Sequence, residues 1–244
     1  ICMKILAKVS YFGKNYHGWQ KQDKDLSVQE EIEKVLSQIL NTPTVIYGAG
    51  RTDAGVHAKG QTFHFECRDD VDIEKLRYSS NMLLGEQIHI ISFTKVSDDF
   101  HARFSAKGKR YRYLINIGEI DPLTSDYSYH YPYSLNEELF KKALSLFIGK
   151  HNFQDFTSKE EDEDGFVREI YSIDVNKNEN IIEVNLLGNG FMRFMIRDII
   201  GASLAVASGK ESIDFIKKHV DSTKREITSY KAPSKGLYLI DVIY

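Results

Sequence analysis

The stretch SVQEEIEKVLSQIL, residues 27–40, opens on a serine with a glutamate three positions later. That is a capping box, in which hydroxyl and carboxylate satisfy backbone donors orphaned at a helix start. Behind it Val28, Ile32, Val35, Leu36 and Ile39 recur at a spacing that puts them on one helical face. Outward from this helix, residues 4–12 alternate and read as a preceding strand. Residues 44–49 and 61–67 read as two following strands around a glycine-rich segment, residues 72–84 as a second helix, and residues 88–96 as a closing strand. The order is β-α-β-β-α-β.

The second half repeats it. A strand over 110–117 is followed by a second capping box, Ser134 to Glu137, before a helix with Leu139, Ala143, Leu144 and Phe147 apolar. Strands over 167–175 and 181–187, a helix over about 191–207, a short helix near 213–219 and a strand over 237–243 complete the chain. The expected fold is α+β, two ferredoxin-like or RRM-like βαββαβ halves joined near residues 105–109, with domains at 1–107 and 108–244. The run Glu160 to Asp164 reads as a solvated acidic loop, expected to sit away from phosphates if the partner is RNA.

Composition narrows the function. With 244 residues, 42% hydrophobic and 12% aromatic, the chain describes a folded protein and not a disordered one. Thirty-two basic against thirty-five acidic residues leave a net charge of −3, so a polyanion must meet a segregated basic patch. Cys2 and Cys67 have no metal or disulfide spacing, and a reducing cytoplasm fits them. No apolar run is long enough to span a bilayer, and no signal segment opens the sequence; Ile1 and Cys2 before Met3 read either as added residues or as an alternative start.

Three segments carry chemistry. GAGRTDAGVHA, residues 48–58, sets Arg51, Thr52, Asp53 and His57 among glycines that permit close approach. It matches neither a dinucleotide fingerprint nor a phosphate-binding P-loop. Arg51 and Asp53 could simply tie down a hairpin, but four polar groups between two buried strands need partners, and a buried carboxylate needs a cation or several donors. His101 to Tyr113 interleaves Arg103, Lys107, Lys109, Arg110 and Arg112 with aromatics, a combination that contacts phosphates and stacks bases, although alternation over 110–113 also suits an ordinary strand with a basic face. In residues 190–201, Arg193 and Arg197 are four apart in the expected helix, among apolar neighbours that call for a carboxylate partner; Asp53 is the candidate.

These residues resemble the tRNA pseudouridine synthase A family almost end to end: Tyr16-His-Gly-Trp-Gln20, Ser27-Val-Gln-Glu30, Gly50-Arg-Thr-Asp-Ala-Gly-Val-His-Ala58, Phe100-His-Ala-Arg-Phe-Ser-Ala106, Lys109-Arg-Tyr-Arg-Tyr113, the 191–201 segment and Gly236-Leu-Tyr-Leu239. Phe12 departs from the family's usual aspartate in a Tyr-Asp-Gly triplet, and Ala232-Pro-Ser-Lys235 varies its usual lead-in. The resemblance implies antiparallel sheets flanking a central catalytic cleft. It implies conversion of uridine to pseudouridine at positions 38, 39 and 40 of the tRNA anticodon stem-loop, with no cofactor and no metal. Asp53 would be the essential carboxylate, as nucleophile at the sugar or as the base that opens a glycal route, and would be kept charged by Arg197. Tyr111 would stack on the uracil near C5. Arg51 would fill the space of the flipped nucleotide or hold its phosphate. Thr52, His57, Arg103, Lys109, Arg110, Arg112 and Arg193 would serve substrate binding, in a cytoplasmic homodimer with tRNA spanning both subunits. The rival readings are a non-catalytic RNA-binding module and a nucleoside hydrolase that stops after bond cleavage. Asp53 argues against the module, since a carboxylate repels phosphate.

Overall fold

The computed structural model describes residues 1–160 and 165–244, so residues 161–164 of the acidic run lie outside the described residues. Contacts divide the chain into two units, Ile1–Lys107 with Tyr238–Tyr244, and Gly108–Leu237. Each is α+β.

In the first unit Ser27 caps helix α1 (Val28–Leu40), its hydroxyl accepting from the Glu30 N–H at 3.2 Å, and the helix ends on Asn41 in the left-handed region. Val28, Ile32 and Leu36 face inward and are fully buried. Helix α2 (Ile73–Leu84) starts where Asp72 accepts from the Glu74 and Lys75 N–H groups. The strands are β1 (Cys2–Tyr11), β2 (Tyr47–Gly48), β3 (His57–Arg68), β4 (Ile88–Val96) and β10 (Leu237–Ile243). They run in the order β4-β1-β3-β10, with β2 on β3. The antiparallel register Ile5–Phe65 and Ala7–Phe63 lines up a fully buried row of side chains. Trp19 closes that core, its ring 6.1 Å from Tyr11 and 6.0 Å from Phe63. Each such large side chain contributes about 2–3 kcal/mol on burial.

Two strands differ from the sequence pattern. Residues 44–47 alternate buried and exposed as a strand would, yet only Tyr47 and Gly48 pair. Side chains of α1 take the remaining hydrogen bonds: Ser37 accepts from the Thr44 N–H, Glu33 accepts from the Ile46 N–H, and Gln29 donates to the Ile46 carbonyl. The closing strand, which element order assigns to the second half, lies parallel to β3, with Tyr238 opposite His57 and Leu239 opposite Ala58.

The second unit holds β5 (Gly108–Asn116), β6 (Tyr129–His130), α3 (Glu137–Ser145), β7 (Gly149–Asn152), β8 (Val167–Asn178), β9 (Ile181–Gly188), α4 (Met195–Ala207) and α5 (Ile213–His219). Its strand order is β5-β9-β8-β7, with β6 on β5. The capping residue of α3 is Asn136, accepting from the Leu139 N–H at 3.0 Å, and not Ser134. Asparagine two residues later caps as well as serine does, so the box motif is displaced. Phe140, Phe147, Phe153 and Phe156 fill the core beside a buried pair, in which His219 Nδ1 and Asp155 Oδ2 are 2.6 Å apart.

In the first unit, His64 Nδ1 accepts from the Ala102 N–H at 3.0 Å. Burial, then His101 and Lys4, hold its pKa at about 4 against an ordinary 6.5. The unfolded chain therefore takes up this proton first, so the stability that neutral His64 contributes is full above pH 6.5 and is lost as pH falls toward 4. Chemical denaturation at stepped pH should show this loss in the wild type and a smaller one in His64→Gln.

Candidate active site

The glycine-rich segment crosses from β2 into β3 and is held from below along its length. The Ala49 N–H donates to the Thr62 carbonyl at 2.8 Å, Gln61 Nε2 donates to the Gly50 carbonyl at 2.9 Å, and the Trp19 N–H donates to the Thr52 carbonyl at 3.2 Å. The Gly55 N–H reaches the Tyr16 carbonyl, and the Val56 N–H closes a turn on the Asp53 carbonyl. Two side chains also point into the floor. Thr52 Oγ1 lies 2.7 Å from the Tyr11 hydroxyl, whose pKa burial pushes well above its usual value. His57 Nδ1 accepts from the Gly13 N–H at 2.9 Å, and Phe12 stacks on the His57 ring with centroids 5.0 Å apart.

This clamp depends on the absence of a side chain at two positions. A Cβ at residue 13 would lie 2.0 Å from the Val56 carbonyl oxygen. At residue 18, where φ is +84°, it would lie 2.5 Å from the Thr52 carbonyl oxygen.

The four polar residues of the segment therefore divide. Thr52 and His57 are buried with their polar atoms bonded internally, Asp53 is half-buried, and Arg51 is exposed, so the sequence expectation of burial fails for Arg51. The segment thus carries a half-buried carboxylate with an exposed arginine two residues before it.

In the second unit, strand alternation sorts the basic-aromatic segment. Tyr111 and Tyr113 point to the buried face, Tyr111 meeting Phe191 edge-on at 5.2 Å, while Arg110 and Arg112 point to the other. Tyr113 is fully buried and its hydroxyl donates to the Pro233 carbonyl at 2.6 Å. Arg112 Nε lies 3.3 Å from Glu183 and donates to Asn185, so its charge is already matched. Arg103, in the first unit, is exposed and lies over the Phe104 ring.

Arg193 and Arg197 do not share a helical face. Helix α4 starts at Met195, after Phe194, which has φ 65° in the left-handed region and provides no side-chain cap. Arg193 thus precedes the helix and is exposed, while Arg197 sits in its first turn and donates from Nε to the Ala232 carbonyl at 2.8 Å. Tyr11 and Gly13, which hold the floor of the Asp53 loop, received no role from sequence; the available signal was a strand ending in Tyr-Phe-Gly, a glycine placed where two backbones meet. Among the described residues, no three His, Cys, Asp or Glu side chains gather to hold a metal ion, and no helix is long and apolar enough to cross a membrane.

The clamped glycine loop thus carries one half-buried aspartate on an α+β scaffold on which Arg51 and Arg103 are exposed. A family profile described as tRNA pseudouridine synthase matches residues 7–105 and 143–244, and the chain belongs to that family of isomerases. Curated relatives bearing the name tRNA pseudouridine synthase A include one from Thermoanaerobacter sp. (strain X514), 38% identical over 98% of this chain and 99% of the relative. Another, from Geobacillus sp. (strain WCH70), is 39% identical over 99% of this chain and 98% of the relative. A third, from Streptococcus agalactiae serotype Ia, is 36% identical over 98% and 94%. Among solved structures, an archaeal box H/ACA sRNP Nop10-Cbf5 complex has a TM-score of 0.36 at 12% identity, covering 82% of this chain and 43% of that one, a likeness too low to bear on fold or function.

Proposed function

We propose that this protein isomerises uridine to pseudouridine at positions 38, 39 and 40 of the tRNA anticodon stem-loop, as a cytoplasmic homodimer, with Asp53 as the essential carboxylate. The observation that carries the reading is the clamp: backbone hydrogen bonds along residues 49–56 and the Thr52 and His57 side chains fix the segment that carries the half-buried Asp53. In the reaction the N1–C1′ bond of the nucleotide breaks, C5 of the same uracil joins C1′, and the C5 proton is lost as N1 gains one. No redox equivalent is needed. Asp53 attacks C1′, or alternatively takes a sugar proton to open a glycal route. Arg197 supplies the cation that favours the ionised carboxylate. Arg51 holds the flipped-out nucleotide's place or its phosphate, offsetting a few kcal/mol of unstacking. Arg103, Lys109, Arg110 and Arg193 meet phosphates. Thr52 and His57 act by fixing the loop, since their polar atoms are bonded within the protein.

Tyr111 stacks on the uracil and takes the C5 proton. Tyr111→Phe keeps the ring and should lower kcat about 100-fold or more, the usual worth of a general base, with tRNA affinity retained. Tyr111→Leu should also weaken binding about tenfold, since a stacked base is worth about 1–3 kcal/mol. Near-normal turnover in both variants would remove Tyr111 from the reaction.

The reading as a whole is tested by incubating the protein with unmodified tRNA and mapping pseudouridine chemically. Pseudouridine at positions 38–40 is expected. Free uracil would indicate a hydrolase instead, and tight binding with no modified base would indicate a binding module.

A further inference from the structure

Three cations crowd one aromatic ring in the second unit. Lys231 Nζ lies 3.8 Å from the Phe194 ring centroid, Arg193 Cζ 4.7 Å and Arg197 Cζ 5.2 Å. All three charges thus fall within about one Debye length, ~10 Å at 0.1 M salt, of each other. Ring-face attraction offsets part of their repulsion. Among the described residues no carboxylate pairs with Arg193 or Lys231, whereas other lysines of this unit, such as Lys177 with Glu137 and Lys218 with Glu226, have acidic partners.

The crowd is built into the backbone. The left-handed Phe194 turns the chain just before α4, so that its ring stands where Arg193 and Arg197 both reach it. Such a conformation is costly for a bulky residue and persists only where surrounding structure imposes it. Arg193 is fixed by its carbonyl, which accepts from the Thr157 hydroxyl at 2.9 Å. Lys231 is fixed by its neighbour: the Ala232 N–H donates to the Arg197 carbonyl at 2.9 Å, and Arg197 Nε donates back to the Ala232 carbonyl. The backbone that carries these two exposed cations is thereby held in place before any ligand arrives, so an anion that accepts from both has only their side chains left to order.

We propose that Arg193 and Lys231, gathered on Phe194, form a subsite for one backbone phosphate of the RNA substrate, an inference that rests on the tRNA reading above. Arg197 adds to the local positive potential but stays tied to Ala232. A phosphate fits better than a single carboxylate because its several oxygens can accept from a guanidinium and an ammonium together.

The test is the affinity for unmodified tRNA over a series of potassium chloride concentrations. Lys231→Gln should raise Kd roughly tenfold at low salt and reduce the slope of log affinity against log salt by about 0.7–0.9, one phosphate contact, so that the two curves converge as salt rises. Lys231→Arg should restore the slope, and Arg193→Gln should lower it as Lys231→Gln does. Lys218→Gln, whose charge is already matched by Glu226, should leave it unchanged. An unchanged slope and Kd in Lys231→Gln, with the wild type binding, would overturn the subsite alone. Equal losses in Lys218→Gln would overturn it too, by assigning the effect to bulk charge. A wild type that does not bind tRNA would overturn the tRNA reading itself.

Discussion

Gly13→Ala should cost about 3 kcal/mol of stability and nearly all turnover. The added methyl would sit 2.0 Å from the Val56 carbonyl oxygen and 2.5 Å from its carbon, and both are backbone atoms with no rotamer to change. Either the end of β1 or the 48–58 segment must move. Moving β1 breaks the Gly13 N–H to His57 bond, and moving the loop shifts Asp53. Overpacking of this kind typically costs about 1–3 kcal/mol, and for a chain of this size 3 kcal/mol lowers Tm by roughly 10 °C. A displacement of even ~1 Å at a reacting group lowers rate about 100-fold. Gly85→Ala is the comparison. Gly85 has φ +75° at the end of α2, with nothing within 4 Å of an added Cβ, so that variant should lose stability through backbone strain and keep its kcat. Thermal melts and single-turnover rates on the two variants separate the effects. Equal rates in both would mean that the Gly13 contact does not position the loop.

The helices and long strands were legible in sequence because local signals settled them. Ser27 and Asp72 begin helices where hydrogen-bonding side chains stand ahead of apolar periodicity, and β4 occupies residues 88–96 as its alternation predicts. Where competing partners decide, sequence pattern misleads. Residues 44–46 have strand alternation but give their hydrogen bonds to Ser37, Glu33 and Gln29 of α1, a choice made by tertiary packing. The parallel pairing of β10 with β3 joins segments with no turn between them to announce it. Arg193 falls outside α4 because Phe194 adopts a positive φ that no propensity favours in phenylalanine. At the candidate site, residue types in the glycine-rich segment pointed to Asp53, but which of its polar neighbours face inward depends on Tyr11 at the end of β1 and Gly13 just beyond it, far from them in sequence.

Asp53→Asn should bind tRNA as tightly as the wild type and yield no pseudouridine. The substitution preserves shape and removes the charge and nucleophilicity of one oxygen pair. The loop is anchored by the backbone of residues 49, 50, 52, 55 and 56 and by the Thr52 and His57 side chains, so its conformation should survive. Removing a nucleophile or an obligatory base leaves only binding and positioning, and rate losses of about 10⁴-fold or more follow. The decisive measurement is a single-turnover assay of Asp53→Asn with saturating enzyme on unmodified tRNA, read by chemical mapping of pseudouridine, alongside its Kd for the same tRNA. Unchanged Kd with no product over many wild-type half-times is the predicted result; product formation within tenfold of the wild-type rate would contradict the assignment of Asp53 as the reacting carboxylate.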